Sequence, residues 1–232
     1  MKGARPNRGF TLVELLVALF AMALLAVMSW RGLDGMTRAQ AQTEARADDV
    51  LALQVGLAQW AADLDAIVQL PQTAALDWNG RALRMTRRGT ASPADGVVVA
   101  AWTRRVIDGN GTWLRWQSAP ATTREQWQQA WQKADLWSQN PGDEERRGEV
   151  AITPLEEWQI IYFRGGAWTN PLSSDAMAST PIPVPGTPGA ISVSGTILPD
   201  GVRLILTLPP GQPITGRLTR DWVMPTLSRA KS

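Results

Sequence analysis

The stretch that most limits what this chain can become is residues 9–30, GFTLVELLVALFAMALLAVMSW. From Phe10 to Trp30 only Thr11, Glu14 and Ser29 interrupt its apolar side chains. A run of roughly 20 such residues is what a helix needs to cross a hydrocarbon core of ~30 Å, so residues 10–30 are expected to form a transmembrane helix. Residues 1–9 precede it with Lys2, Arg5 and Arg8 and no acid, whereas the far side opens with the mixed charges Arg31, Asp34 and Arg38. Bases concentrate on the cytoplasmic flank of a span. The leader is therefore expected in the cytoplasm, with everything after the span on the opposite side of a single-pass membrane protein.

Glu14 sets this span apart. A carboxylate at membrane depth costs roughly 2.5 kcal/mol or more and occurs chiefly where it finds a partner, which a lone span does not offer. Two plainer readings exist. In one, the segment is a signal anchor whose Glu14 lies near the interface and snorkels to water. In the other it is a cleavable secretory signal, for which Ala21-Met22-Ala23 has the small-x-small form. The apolar run continues past that site through Leu24, Leu25, Val27 and Met28, which argues against cleavage there. The chain has no cysteine, so lipoprotein processing is excluded.

Gly9, Phe10, Thr11, Leu12, Val13 and Glu14, in that order ahead of an apolar run, resemble the processing signature of prepilins and pseudopilins. The resemblance implies that a membrane prepilin peptidase cuts after Gly9 on the cytoplasmic side and N-methylates the new terminus, Phe10. It also implies a partner for Glu14: the charged amino terminus of a neighbouring subunit in a helical filament. The physical reading agrees, because a cation paired with the carboxylate at membrane depth offsets the cost of burying either alone.

The sequence pI is about 9.5 and the formal charge +2. Taking the three leader bases from 23 Lys and Arg leaves 20 against 21 acids, or −1, so the high pI says little about nucleic acid, and no nucleic-acid partner is expected. Without cysteine the extracytoplasmic part holds together by its core alone, and without histidine it lacks the commonest metal ligand and general base. Twelve tryptophans, scattered from Trp30 to Trp222, read as core and interface anchors rather than one stacking platform.

The helical pattern continues past the membrane. Val50, Leu53, Leu57, Trp60, Leu64 and Ile67 recur at spacings of three and four, a stripe along one helix face. A spine helix is expected over residues 10–67, its part beyond the membrane (31–67) packing that stripe on a domain of residues 68–232. Gly32 and Gly35 are candidate bends, and a coiled-coil partner is a second reading of the stripe. Pro71 closes the helix.

Strands follow. Asn79-Gly80 joins residues 75–78 to 81–87 as a hairpin, and Asp108-Gly109-Asn110-Gly111 joins 97–107 to 112–117. This DGNG resembles the start of a calcium loop but lacks the remaining ligands, so a turn is expected. Residues 123–138 read as a helix with Thr123 and Gln126 as a capping box and with Trp127 and Trp131 one turn apart. Residues 140–149, NPGDEERRGE, read as a charged loop whose Asp143, Glu144 and Glu145 have cation ligation as an alternative to a solvated charge run. Residues 157–163, 202–208 and 217–224 read as strands, and 170–189, rich in proline, as an irregular excursion.

The class expected is α+β, and the order of elements is that of a pilin-like fold: a long N-terminal helix, then antiparallel strands. Beyond the leader the chain is similar to the J-type minor pseudopilin of the type II secretion system. The residues carrying this are Trp78-Asn79-Gly80-Arg81-Ala82-Leu83-Arg84-Met85-Thr86-Arg87-Arg88-Gly89, then Thr112-Trp113-Leu114-Arg115, then Ile197-Leu198-Pro199-Asp200-Gly201-Val202. The helical insert at 123–138 and the proline-rich 170–189 do not match that pattern. The resemblance implies a periplasmic domain on an inner-membrane anchor. It would join the I-type and K-type minor pseudopilins and the major pseudopilin at a filament tip, with secreted cargo as a further contact. A minor pilin of a type IV pilus or DNA-uptake filament is the alternative.

No catalysis, cofactor or metal is expected. The acid pairs Asp63 with Asp65 and Glu156 with Glu157 do not face one reacting centre, and no serine stands in a G-x-S-x-G elbow.

Overall fold

The computed structural model describes residues 11–89, 96–173 and 198–225. It divides into two compact units, Met1–Asp48 and Asp49–Ser232. The described part of the first unit is helix throughout, with every residue of 11–48 exposed. One helix, α1 (Leu12–Asp65), runs through Gly32 and Gly35 without interruption. It ends in a tightened turn, with Ala66 N–H donating to the Ala62 carbonyl and Ile67 N–H to that of Leu64. Ile67 then bridges to Arg87, so the helix stops two residues short of the expected end because the chain there turns to pair with a strand.

Among the described residues of the second unit, nine strands form two antiparallel sheets. The first sheet orders β1 (Leu76–Trp78), β2 (Ala82–Arg88), β3 (Val97–Ile107), β4 (Asn110–Gln117) and β5 (Glu149–Pro154) side by side. The second orders β7 (Ala167–Thr169), β6 (Glu157–Arg164), β8 (Gly201–Leu208) and β9 (Gly216–Val223). Between β4 and β5 lie α2 (Arg124–Gln139) and the short α3 (Asp143–Arg146). The long helix followed by antiparallel sheets is the expected α+β, pilin-like layout.

Local chemistry sets the turns. Asp108 and Gly109 both adopt positive φ (48° and 80°), the pair of conformations a two-residue hairpin demands, so β4 starts at Asn110 rather than Thr112. The DGNG run is a turn. Thr123 caps α2 as expected: its hydroxyl accepts from Gln126 N–H, and the Gln126 side chain accepts from Thr123 N–H at 3.2 Å.

The run VVVAAW of β3 does not alternate because the first sheet is covered on both faces. On one face Val99, Ala101, Leu114 and Trp116 meet Ala130, Ala134 and Trp137 of α2. On the other, Leu83, Met85, Trp102 and Trp113 join Leu53, Trp60 and Leu64 of α1 and Ile160, Val202, Leu204 and Leu206 of the second sheet in the main core. The register follows from this: Leu83 pairs with Trp102 and Met85 with Ala100. Eight tryptophans are buried and Trp131, Trp158 and Trp168 half-buried; Trp30 alone is exposed.

Two elements correct the sequence reading. The charged run 140–149 is not simply a loop: it holds α3, and Glu149 opens β5, a strand the reading missed. A bulge opposite Trp113 and Leu114 shifts its register, which breaks the alternation that would mark a strand. The bulged Ile152 faces α1, where a Cβ on Gly56 would overlap its Cγ2 and stand 3.2 Å from Trp113 Cζ3. Only a glycine lets helix and sheet approach this closely. The excursion 170–189 lies mostly outside the described residues, which resume at Leu198.

Candidate processing and assembly site

Thr11 and Glu14 start α1 together. The Thr11 N–H and hydroxyl both donate to Glu14 Oε2, at 3.0 and 2.9 Å, and the Glu14 N–H donates back to Thr11 Oγ1 at 3.3 Å. This is the reciprocal capping box, threonine at the N-cap and glutamate three residues on, that satisfies two of the orphan amides of a helix start. The T-x-x-E spacing was visible in the sequence, but the reading used Glu14 only for its charge. Both donors fall on Oε2, so among the described residues Oε1 has no hydrogen-bond partner. A carboxylate oxygen accepts along two lone pairs, and Glu14 can therefore cap its own helix and still receive a cation.

Around it the helix is bare. Leu12, Phe20, Leu25 and Met28 are about as exposed as Leu16 and Val17 on other faces, so no face is turned to a core. The helix is long and apolar enough to cross a membrane, and none of that apolar window is buried. A helix hydrophobic all round belongs in lipid or among other helices.

Residues 4–30 match the prokaryotic N-terminal methylation motif. The match takes in Gly9, Phe10 and Glu14 and supports the pilin and pseudopilin family. Such a motif is the substrate of a prepilin peptidase and the entry to pilus-like filaments, and the apolar helix behind it suggests membrane anchoring. No curated protein matches the chain. Gly9 and Phe10, the residues expected to flank the cut, lie outside the described residues.

The second charged centre was not anticipated. Asp63, fully buried on the core face of α1, accepts five hydrogen bonds. Its Oδ1 takes Arg87 Nη1 at 2.5 Å, Arg115 Nη2 at 2.9 Å and Gln59 Nε2 at 2.8 Å. Its Oδ2 takes Arg115 Nε at 2.8 Å and the Trp102 indole at 2.9 Å. The bidentate Arg115 contact is the strongest form of such a pair. Asp63 stands three residues after Trp60 and four before Ile67, on the apolar stripe, and a charge at a core position was the signal that would have found it. Asp65 points elsewhere and accepts from the Trp222 indole at 2.7 Å. The structure thus separates these two acids.

Two acids of the charged run 140–149 have partners within the chain. Glu144 pairs with Lys133 at 2.6 Å, and that hydrogen bond lowers its pKa. Glu145 accepts from Gly142 N–H. Among the described residues no group of three or more histidines, cysteines, aspartates or glutamates is placed to hold a metal.

Proposed function

We propose that this chain is a minor pseudopilin of a type II secretion system, J type, which joins I-type and K-type minor pseudopilins and the major pseudopilin at the tip of a periplasmic filament. The observation that carries the proposal is a methylation motif whose glutamate caps its own helix and keeps one oxygen open. Residues 1–9 would be the cytoplasmic leader, removed by prepilin peptidase after Gly9. The N-methylated Phe10 of a neighbouring subunit would then bring its ammonium to Glu14. Residues 10–30 would hold the chain in the inner membrane before extraction, with the domain in the periplasm.

Two features favour lateral assembly over catalysis or nucleic-acid binding. Trp30 stands exposed where the apolar run ends, the place of an interfacial anchor. Leu51 and Val55, one turn apart on the face of α1 opposite its buried stripe, are also exposed, and paired apolar residues on a free helix face suit another helix. The residues of β1 to β4 that are similar to the J-type protein favour secretion over a type IV pilus or DNA-uptake filament, and secreted cargo is the contact such a tip would make.

N-terminal sequencing and intact mass of the membrane-extracted protein test the processing step. The expected chain starts at Phe10 with one added methyl group, and Gly9→Leu remains uncut; a chain starting elsewhere ends the filament reading. Affinity recovery of the processed protein tests the pathway. I-type and K-type partners support the proposal, and pilus subunits alone would replace it with the type IV pilus reading.

A further inference from the structure

Outside the membrane helix and the Asp63 centre, one cleft of about 520 Å³ opens among the first sheet, the second sheet and the β1–β2 turn. That is within the range of about 300–1,000 Å³ typical of ligand sites. Arg81, Arg104 and Arg217 border it, with Glu156 and Glu157 on the same rim and Trp158 and Ile205 among the apolar lining. Arg81, Arg217, Glu156 and Glu157 make no hydrogen bond or ion pair with their side chains among the described residues. Five charged side chains thus line one opening, and four of them have no side-chain partner among the described residues.

Two observations fix where these groups stand. Arg104 is fixed by its Nε donating to the Leu155 carbonyl at 2.9 Å, and its guanidinium occupies room that a Cβ on Gly111 would take, 2.8 Å from Cζ. Glu157, Thr207 and Arg217 face one another across β6, β8 and β9 in register, so acid and base are spaced by strands rather than brought together.

We propose that this cleft binds an extended, acid-rich segment of a partner polypeptide. Three guanidinium groups, one in the β1–β2 turn, one on β3 and one on β9, suit carboxylates distributed along a chain, each taken by a planar two-point contact. Glu156 and Glu157 on the same rim disfavour a compact anion by like-charge repulsion. The two glutamates suit an amide or a base on the same segment, and Trp158 and Ile205 its aliphatic parts. The pre-set position of Arg104 lowers the ordering cost of binding. The site lies wholly within residues 80–217 and does not depend on the filament reading.

The test uses the full chain in zwitterionic detergent micelles with 15N-labelled tryptophan. The indole signal of Trp158, assigned with Trp158→Phe, is followed on titration with the capped peptide Gly-Asp-Glu-Gly-Asp-Glu-Gly. A saturable shift is expected, weaker by about tenfold or more in Arg81→Gln/Arg217→Gln, where two charge-assisted contacts are gone. The other indole signals serve as the fold control for that variant; if it unfolds, Arg81→Lys and Arg217→Lys, which keep the charge and lose the fork, replace it with a smaller loss expected. Absence of a saturable shift overturns the proposal. So does an equal response to the Asn/Gln form of the peptide, or to sodium phosphate at the same concentration, which would make this ordinary counterion binding.

Discussion

Two carboxylates on one helix have opposite fates. Asp63 is buried and receives two guanidiniums, an indole and an amide from its own chain. Glu14 lies in the longest apolar run of the sequence and, among the described residues, receives only the cap donors of Thr11. A buried charge must be compensated. In the second unit the compensation folds with the chain; under the proposed function, that of Glu14 would come from a neighbouring subunit. The comparison therefore sets a part of α1 completed by folding against a part that the proposal completes by assembly.

The strongest way to break the comparison is Asp63→Asn. It keeps the shape and leaves Arg87 and Arg115, both mostly buried, without their counter-charge. Removing one partner of a buried pair costs about 3–5 kcal/mol, and we expect a loss of that order in urea unfolding of the full chain in micelles. A loss under about 1 kcal/mol would mean that the centre is solvated and that Asp63 resembles Glu14 after all. Gly56→Leu comes next. The new side chain would be driven into Ile152 and Trp113, and overpacking of a filled core costs about 1–3 kcal/mol. An unchanged unfolding midpoint would show that α1 docks more loosely than its glycine contact implies.

These two residues also mark where the sequence was legible. The hairpin at Asn79-Gly80, the turn at Asp108-Gly109, the cap at Thr123 and the methylation motif are each written within a few neighbouring residues, and each was read correctly as local chemistry. Asp63 and Gly56 act through residues far away in the chain, Arg87, Arg115 and Ile152, so only the fold gives them meaning. The strand β5 was missed for a related reason: it begins in a charged run, and its bulge at Ile152 answers Gly56 rather than any period of its own. The methylation motif over residues 4–30 was legible, whereas Gly9 and Phe10 lie outside the described residues. The cleft at Arg81, Arg104 and Arg217 was not legible at all, because its bases come from one turn and two strands that no spacing rule connects.

An ion pair completed within the chain but at its surface stands between the two cases. Arg203 meets Asp221 through two hydrogen bonds of 2.7 Å across β8 and β9 and lies 4.1 Å over the Trp168 ring. The hydrogen bond from Arg203 is the main cause that lowers the Asp221 pKa. A carboxylate whose folded pKa lies below its unfolded value of about 3.9 contributes stability above that value and loses it as pH falls through the lowered one. Because both side chains are about a third exposed, solvent screening holds the gain to about 0.2–1 kcal/mol. Asp221→Asn should show that deficit at pH 7 and converge with the parent protein at acid pH, below the ordinary carboxylate range. A deficit that persists there would trace to packing on Trp168 instead of charge.

Glu14→Gln should have the smallest effect on folding and the most specific effect on assembly. Its described partner is Thr11 alone, and a glutamine can still complete a capping box. The unfolding midpoint of the domain is therefore expected to move by less than about 0.5 kcal/mol, the ordinary range for a substitution away from core, cap and ion-pair losses. Maturation at Gly9 should continue, since the change lies beyond the cut. What disappears is the negative charge that a neighbour's ammonium would answer, so recovery of partner subunits by crosslinking in membranes should fall sharply while the monomer stays folded. If instead the variant assembles like the parent, the open oxygen of Glu14 is not what registers one subunit on the next. If it unfolds the domain, Glu14 has a partner inside the chain and the contrast with Asp63 disappears.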